Sequence, residues 1–389
     1  RRDALGLHIG QGPALKQALR KHALERQPLR RLLGAQPAHP PADSRTHLRL
    51  LGMDAYPPAP AGPAAQPDLR GMARELFPAH TDEQIADLIE DLNRRPGGAM
   101  PILTALRLEY LQLDLDLAAW VADTPRYSAD AEVNISHQAH NDARQNRRLF
   151  RQALLRGWRR ETEVDAYFAP PARNGQMLKL PYPLSGELPA LRANFEHISY
   201  LELKGDQTAL NVDRLLRSFP RLRYLSISNA QLADLPLAIN TPPTLNTLIL
   251  SECNITLTSA SLARLTAMNA LRTLDLFNNP LERVPSVENM VDLQFLDLSS
   301  TGISAMPAGL LSRPALELAV LSSNQITQVP PALFELPADT TKTFDLSDNP
   351  LSRATLEQTK TYYQRTGIYW GIDASDVDIR QVKSLFPDF

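Results

Sequence analysis

Cysteine is all but missing from this chain. Cys253 is the single one in 389 residues, which excludes a disulfide framework and any site built from several thiolates. Neither sign of charge is in excess: 41 basic against 43 acidic side chains give a formal net charge of -2, so no global pull toward nucleic acid or an anionic membrane exists. Long apolar runs are absent as well, and no window approaches the roughly 20 uncharged residues that a membrane helix requires. The first apolar stretches are broken by Lys16, Arg20, Lys21 and Arg26, so no signal-peptide core is present. The opening Arg1-Arg2-Asp3 lacks an initiator Met and reads as a piece of a longer chain.

Catalytic signatures are equally scarce. There is no G-x-S-x-G, H-E-x-x-H, Walker or dinucleotide motif. Asp114 and Asp116 stand two apart and point to different sides of a helix, which does not make a catalytic pair. His137 and His140 have no third ligand at a recognisable spacing and read as a solvated pair. Cys253 is the one available thiol nucleophile, with no base placed beside it. The sequence therefore assigns no catalytic residue, no cofactor and no metal.

What the chain has is proline. It carries 32 prolines against 17 glycines, a ratio that a compact enzyme does not need. Eight fall between residues 35 and 67 (Pro37, Pro40, Pro41, Pro57, Pro58, Pro60, Pro63 and Pro67), among alanines and small polar residues. That composition favours extended backbone and reads as a linker. Before it, residues 1–34 hold a short helical segment, with Leu15, Leu19, Leu29 and Leu32 at helical spacing over about 13 to 33. After it, residues 68–194 read as an all-α module that caps the segment beginning at residue 195. Thr81, Asp82, Glu83 and Gln84 make a capping box, and that helix is expected to end at Pro96-Gly97-Gly98. A second helix over about 100 to 122 places Leu103, Leu106, Tyr110, Leu113, Leu117 and Trp120 on one stripe, widened by Leu108, Leu111 and Leu115 so that it packs on two sides. A third, over about 137 to 163, carries seven arginines. Its surface through Arg144, Arg147, Arg148 and Arg151 suits a weak contact with an acidic surface. No nucleic-acid reader motif or aromatic platform accompanies it, so nucleic acid is not the expected partner.

From residue 195 the pattern becomes a repeat. Alignment on L-x-x-L-x-L-x-x-N-x-L gives starts at Ile198, Leu222, Leu245, Leu271, Leu293, Leu316 and Thr341, separated by 24, 23, 26, 22, 23 and 25 residues. Residues 195–351 thus hold seven leucine-rich repeats. A single repeat cannot bury both faces of its leucines, and stacking supplies the missing wall. The asparagine position is held by Asn279, Asn324 and Asn349, and elsewhere by Asp206, Ala230, Cys253 and Thr301, so the ladder is incomplete. Four repeats close with an apolar residue and proline, at Leu235-Pro236, Val284-Pro285, Met306-Pro307 and Val329-Pro330, which suits an extended return path. The third reads as more helical over residues 257–265. Residues 352–389 are expected to give a capping helix, about 354 to 366, and then the start of another module, since Val382 to Phe389 echoes Ala73 to His80.

The fold expected is an α/β leucine-rich-repeat solenoid, with parallel strands on the concave face and an all-α N-terminal module. The third, fifth and seventh positions of each repeat then point outward in three columns. The first is Tyr200, Tyr224, Thr247, Thr273, Phe295, Leu318 and Thr343. The second is Glu202, Ser226, Ile249, Asp275, Asp297, Val320 and Asp345. The third runs from Lys204 through Ser228, Ser251, Phe277, Ser299 and Ser322 to Ser347. Residues 195–351 contain 10 basic and 16 acidic side chains, net -6. Aromatics beside acids make a protein-binding surface, and Tyr200, Tyr224, Thr247, Asp275, Phe277, Phe295, Asp297 and Asp345 are its candidate residues.

Three stretches stand out within roughly residues 69 to 370: Leu111 to Trp120 (LQLDLDLAAW), the repeats over 198–351, and Asn349-Pro350-Leu351-Ser352 leading to Tyr362-Tyr363-Gln364-Arg365-Thr366-Gly367-Ile368. In these the chain resembles the leucine-rich-repeat effectors of Gram-negative bacteria that carry a NEL (novel ubiquitin ligase) domain, especially long ones with dermonecrotic-toxin-like helical regions. The family's nucleophile lies in a C-x-D motif downstream of the repeats. Here Cys253-Asn254-Ile255 lacks the Asp and lies inside a repeat, so no catalytic residue carries over. The resemblance implies a secreted protein delivered into a host cell, in which the repeats select a host protein for ubiquitination or mask their own catalytic domain. On that reading this chain is the recognition part, with the ligase outside it. A spacer between toxin modules, without ligase activity, is the other reading.

Overall fold

The computed structural model describes residues 68–126, 136–165, 175–240, 244–337, 343–368 and 370. The helix expected at 13 to 33, the linker at 35 to 67, the start of the last repeat at Thr341 and the echo at 382 to 389 lie outside the described residues. The chain divides into two compact units, Arg1–Leu111 and Gln112–Phe389.

Within the first unit, helix α1 (Leu69–Leu76) precedes α2 (Asp82–Arg94), and α3 (Ala99–Ala122) begins. The capping box forms: Thr81 Oγ1 accepts the Gln84 N–H at 3.2 Å and Gln84 Oε1 accepts the Thr81 N–H at 2.8 Å. Helix α2 ends before Pro96, and Gly97 and Gly98 turn the chain at φ of 90° and 76°. Asn93 Oδ1 then accepts the Ala99 N–H at 3.1 Å to start α3. Leu76, Ile85, Leu92 and Leu103 are buried. Leu108 and Leu115, expected to widen the buried face of α3, are instead exposed.

The second unit is built on one eight-stranded sheet, every neighbouring pair parallel and in sequence order. Its strands are β1 (Gln176–Glu187), β2 (Ile198–Asn211), β3 (Tyr224–Ser228), β4 (Thr247–Ser251), β5 (Thr273–Asp275), β6 (Phe295–Asp297), β7 (Leu318–Val320) and β8 (Thr343–Asp345). Alternation decides what each residue does. The fourth and sixth repeat positions, from Leu201 and Leu203 through Leu274 and Leu276 to Phe344 and Leu346, are buried on every strand. The stack of these leucines is the core, and this is an α/β leucine-rich-repeat solenoid.

The eighth repeat position turns each chain out of its strand. Asn229, Glu252, Asn278, Ser300, Ser323 and Asp348 hold it in repeats two to seven, and all six have φ between 50° and 57°. That left-handed turn points each N–H along the stack: Glu252 donates to the Phe277 carbonyl at 2.9 Å, Asn278 to Ser299 at 3.0 Å, Ser300 to Ser322 at 3.1 Å and Ser323 to Ser347 at 2.9 Å. The ninth position ties the turn down. Asn279 Oδ1 accepts the Cys253 and Ile255 N–H groups, both at 3.0 Å, while its Nδ2 donates to the Leu250, Leu276 and Phe277 carbonyls. Asn324 and Asn349 repeat this pattern in later coils.

The first repeat departs from the expected ladder. Its eighth position, Gly205, does not enter the left-handed region, and Asp206 is exposed with its carboxylate bonded to Thr208, so it plays no part in the ladder. Strand β2 runs on to Asn211 instead. A Cβ at Gly205 would stand 2.4 Å from the Asn229 carbonyl oxygen, so glycine is what lets β2 pass the next coil.

Return segments are mixed. Helix α5 (Asp213–Leu216), α6 (Ser259–Thr266) and 3-10 turns at Leu237–Asn240, Leu310–Ser312 and Pro331–Glu335 alternate with extended stretches. Helix α6 begins at a second capping box, in which Thr258 Oγ1 accepts the Ser261 N–H at 3.1 Å and Ser261 Oγ accepts the Thr258 N–H at 2.7 Å.

Both ends of the sheet are covered. Residues 68–194, expected to be all helical, contain β1, which adds a strand before the first repeat. Helix α4 (His137–Trp158) packs on it, with Phe150, Leu154 and Trp158 buried and the Phe150 ring 5.2 Å from that of Trp120. It stops five residues short of the expected 163, because Arg160 takes a φ of 59° and Val164 bridges to Gln176. At the other end, α7 (Arg353–Thr366) starts at Ser352, whose Oγ accepts the Thr355 N–H, and stops at left-handed Gly367. Tyr362 on α7 stacks on Trp370 at 4.4 Å, and the Trp370 carbonyl accepts the Leu346 N–H at 3.3 Å.

Candidate functional site

Strand register sets the outward columns side by side. Tyr200, Tyr224, Thr247, Thr273, Phe295, Leu318 and Thr343 pair in succession, as do Glu202, Ser226, Ile249, Asp275, Asp297, Val320 and Asp345. Strand β1 adds a rung that the repeat pattern missed: Met177 stands beside Tyr200 and Lys179 beside Glu202. Alternation of Leu178 and Leu180 was the available signal, obscured by Pro181 and Pro183, residues that argue against a strand.

The β1–β3 end is aromatic and ordered from within. Tyr200 stacks on Tyr224 with ring centroids 3.9 Å apart and planes 8° from parallel. The Lys179 ammonium lies 5.9 Å from the Tyr200 ring centre, and the Tyr200 hydroxyl donates to Glu202 Oε2 at 3.3 Å. Burial and the neighbouring Tyr224 push the Tyr200 phenol well above its ordinary value, so it stays protonated as a donor. Only 8% of Tyr200 and 3% of Thr247 is exposed. These two candidates are therefore floor rather than contact surface. Tyr224, half-buried, presents the accessible side of the stack.

The β5–β8 end is acidic and aromatic. Asp275, Phe277, Phe295, Asp297 and Asp345 are all half-buried. Each carboxylate also has a local task. Asp275 Oδ1 accepts the Phe277 N–H at 2.9 Å and the Ser251 hydroxyl at 3.2 Å. Asp297 Oδ1 accepts the Ser299 N–H at 2.8 Å, and Asp345 Oδ1 the Ser347 N–H at 3.0 Å. The recurrent Asp at the fifth position thus closes the strand end by receiving the amide two residues on. Burial, with the neighbouring Asp297 charge adding to it, raises the Asp275 pKa against the opposing pull of its two donors.

The remaining candidates are drawn into structure. Cys253 is fully buried, with Sγ 3.3 Å from both the Ile227 and Ser251 carbonyls, and burial pushes its pKa up to about 12. Such a thiol is a poor nucleophile at neutral pH. Of the four arginines read as a contact surface, two are spent inside the fold. Arg147 is buried, lies 4.3 Å over the Trp120 ring and donates to the Trp120 and Asp123 carbonyls at 2.7 and 3.2 Å. Arg151 grips Asp114 through Nε at 2.9 Å and Nη2 at 2.5 Å. Arg144 and Arg148 stay exposed. The His140 ring lies 3.0 Å from the Pro125 carbonyl, and the described residues hold no cluster of three metal-ligating groups. No described helix is long and apolar enough to cross a membrane.

The fold defines a leucine-rich-repeat solenoid whose strand face presents aromatic and acidic side chains. The chain matches no protein-family model and no curated protein. Among solved structures it is similar to internalin C2 from Listeria monocytogenes, at 16% identity and a TM-score of 0.35, over 46% of this chain and 74% of that one.

Proposed function

We propose that the strand face of the repeats grips a partner protein, and that the chain is the non-catalytic recognition part of a secreted bacterial effector delivered into host cells. On this reading a ubiquitin-ligase domain of the NEL type, outside these residues, modifies what the repeats select. The observation that carries the recognition reading is the row of half-exposed Tyr224, Phe277 and Phe295 beside Asp275, Asp297 and Asp345 on one continuous parallel sheet. Large apolar rings with a polar surround are what a protein interface uses at its centre. The effector and ligase part rests on the sequence resemblance alone.

The test is capture from host-cell lysate by the full chain, compared with Tyr224→Ala/Phe295→Ala. The expected outcome is one or more saturable partners lost in the double variant. Unchanged capture removes the face from the interaction, and no saturable partner at all favours the spacer reading.

A further inference from the structure

The strand face is electrically uneven along its length. Its lysines, Lys179 and Lys204, sit on β1 and β2, whereas the third, fifth and seventh positions of β3 to β8 carry no basic residue. Asp275 and Asp297 occupy adjacent strands in direct register, about 4.8 Å apart, with Asp345 two strands further on. In all three the turn bonds fall on Oδ1, which leaves Oδ2 to a partner. Phe277 lies two residues beyond Asp275, and Phe295 two before Asp297, so each of these two acids shares its strand face with a ring. Like charges are thereby held together between aromatic surfaces, and burial already disfavours the charged form of Asp275.

We propose that the β5–β8 part of this face takes a cationic, arginine-bearing segment of the partner protein, with guanidinium groups on Asp275 and Asp297 and their stems against Phe277 and Phe295. This rests on the recognition reading above. Guanidinium is the fitting group because it pairs with carboxylates through two N–H donors and stacks on aromatic faces, whereas an ammonium is a compact, strongly hydrated charge. Leu318 and Val320, half-buried between Asp297 and Asp345, give the segment an apolar contact between its two charged anchors. A small polyamine has nothing to place there.

The probe is fluorescently labelled octa-arginine, titrated with the full chain and followed by anisotropy at 50 and 150 mM salt, with octa-lysine and octa-glutamate as comparisons. Asp275→Asn/Asp297→Asn keeps the Oδ1 acceptors that hold the turns, so the fold is retained, and circular dichroism checks this. Glu288→Gln/Glu335→Gln, in the return segments, changes the net charge equally. The expected result is saturable octa-arginine binding, weaker octa-lysine binding, at least tenfold loss in the aspartate pair and less than twofold in the glutamate pair at 150 mM. Equal losses in both pairs, or no saturable octa-arginine binding, overturns the proposal. A partner whose capture depends on Tyr224 and Phe295 but ignores the aspartate pair refutes the cationic segment and leaves the recognition face standing. Capture that ignores both pairs refutes both.

Discussion

Asn279 makes five hydrogen bonds to the backbone of two coils and is 1% exposed. Asn279→Ala leaves the Cys253 and Ile255 amides and three carbonyls without that partner, and each buried polar group so orphaned costs about 1 to 3 kcal/mol unless water enters. The expected loss is about 3 kcal/mol or more in urea unfolding, with a smaller loss for Asn279→Asp, which keeps the acceptor. A loss under about 1 kcal/mol excludes this account of the ladder. Glu252 makes the opposite case. Its φ of 57° is a conformation that asparagine and aspartate tolerate and glutamate does not favour, and Asn229, Asn278 and Asp348 fill the equivalent position elsewhere. Glu252→Asn should therefore stabilise the fold by about 0.5 to 1 kcal/mol, read as a raised urea midpoint. The leucine spacing made the ladder position legible, because an eleven-residue pattern fixes which side chain faces the core. It did not reveal that the turn lies one residue earlier, since only three of the six residues there advertise a left-handed conformation. Nor did it separate floor from surface in the outward columns. Tyr200 and Thr247 sit at outward positions yet are covered, a consequence of neighbouring side chains that alternation does not describe.

At the scale of elements, the misreadings cluster where a strand lacks the repeat. Strand β1 carries none of the leucine-rich pattern beyond Leu178, Leu180 and Leu184, and register shifts at Leu180/Leu184 and Leu184/Gly186 accommodate its prolines. Helix α4 seats on it through Gly157, where an added Cβ would stand 3.1 Å from Leu178 Cδ1. The seat is tied by His197, whose Nε2 lies 2.7 Å from the Gly157 carbonyl. A carbonyl only accepts, so Nε2 carries the proton. Burial lowers the pKa of this imidazole from 6.5, against the raising effect of that bond and of Glu196 and with Arg160 lowering it further. The unfolded chain thus binds a proton that the folded chain resists. Stability from this group is full above about pH 6.5 and declines as pH falls below it. Urea midpoints measured from pH 7.5 to 5.5 should fall, and His197→Gln, which retains an N–H donor, should flatten that slope. An unchanged slope would mean that the seat of α4 does not titrate through His197. The arginine-rich composition of α4 misled for a related reason: a guanidinium can cap carbonyls and cover a ring as Arg147 does, and composition alone does not say which arginines are so used.

Across the whole molecule, stability in a stack of repeats is close to a sum of repeat and neighbour terms, so the place of a lesion decides its reach. Leu274 lies at the centre of the sheet, fully buried between Leu248 and Leu296 in register. Leu274→Ala should cost about 2 to 5 kcal/mol, because the cavity removes contacts on two sides and neighbours in a continuous core relax little. An effect below roughly 0.5 kcal/mol would break the register argued from the leucines. Trp370 belongs to the far edge, 3% exposed, stacked on Tyr362 and 5.5 Å from the Phe334 ring. Trp370→Ala removes the ring but leaves the backbone carbonyl that receives the Leu346 N–H. Its neighbours in the stack lie on one side only. Hydrogen exchange should therefore show faster opening confined to β8, α7 and the Pro331–Glu335 turn, with β3 to β5 protected as in the unaltered chain. For Leu274→Ala the loss of protection should spread through β4, β5 and β6 together. If Trp370→Ala instead lowers protection uniformly from β2 to β8, the sheet unfolds as a single cooperative block and the nearest-neighbour description fails.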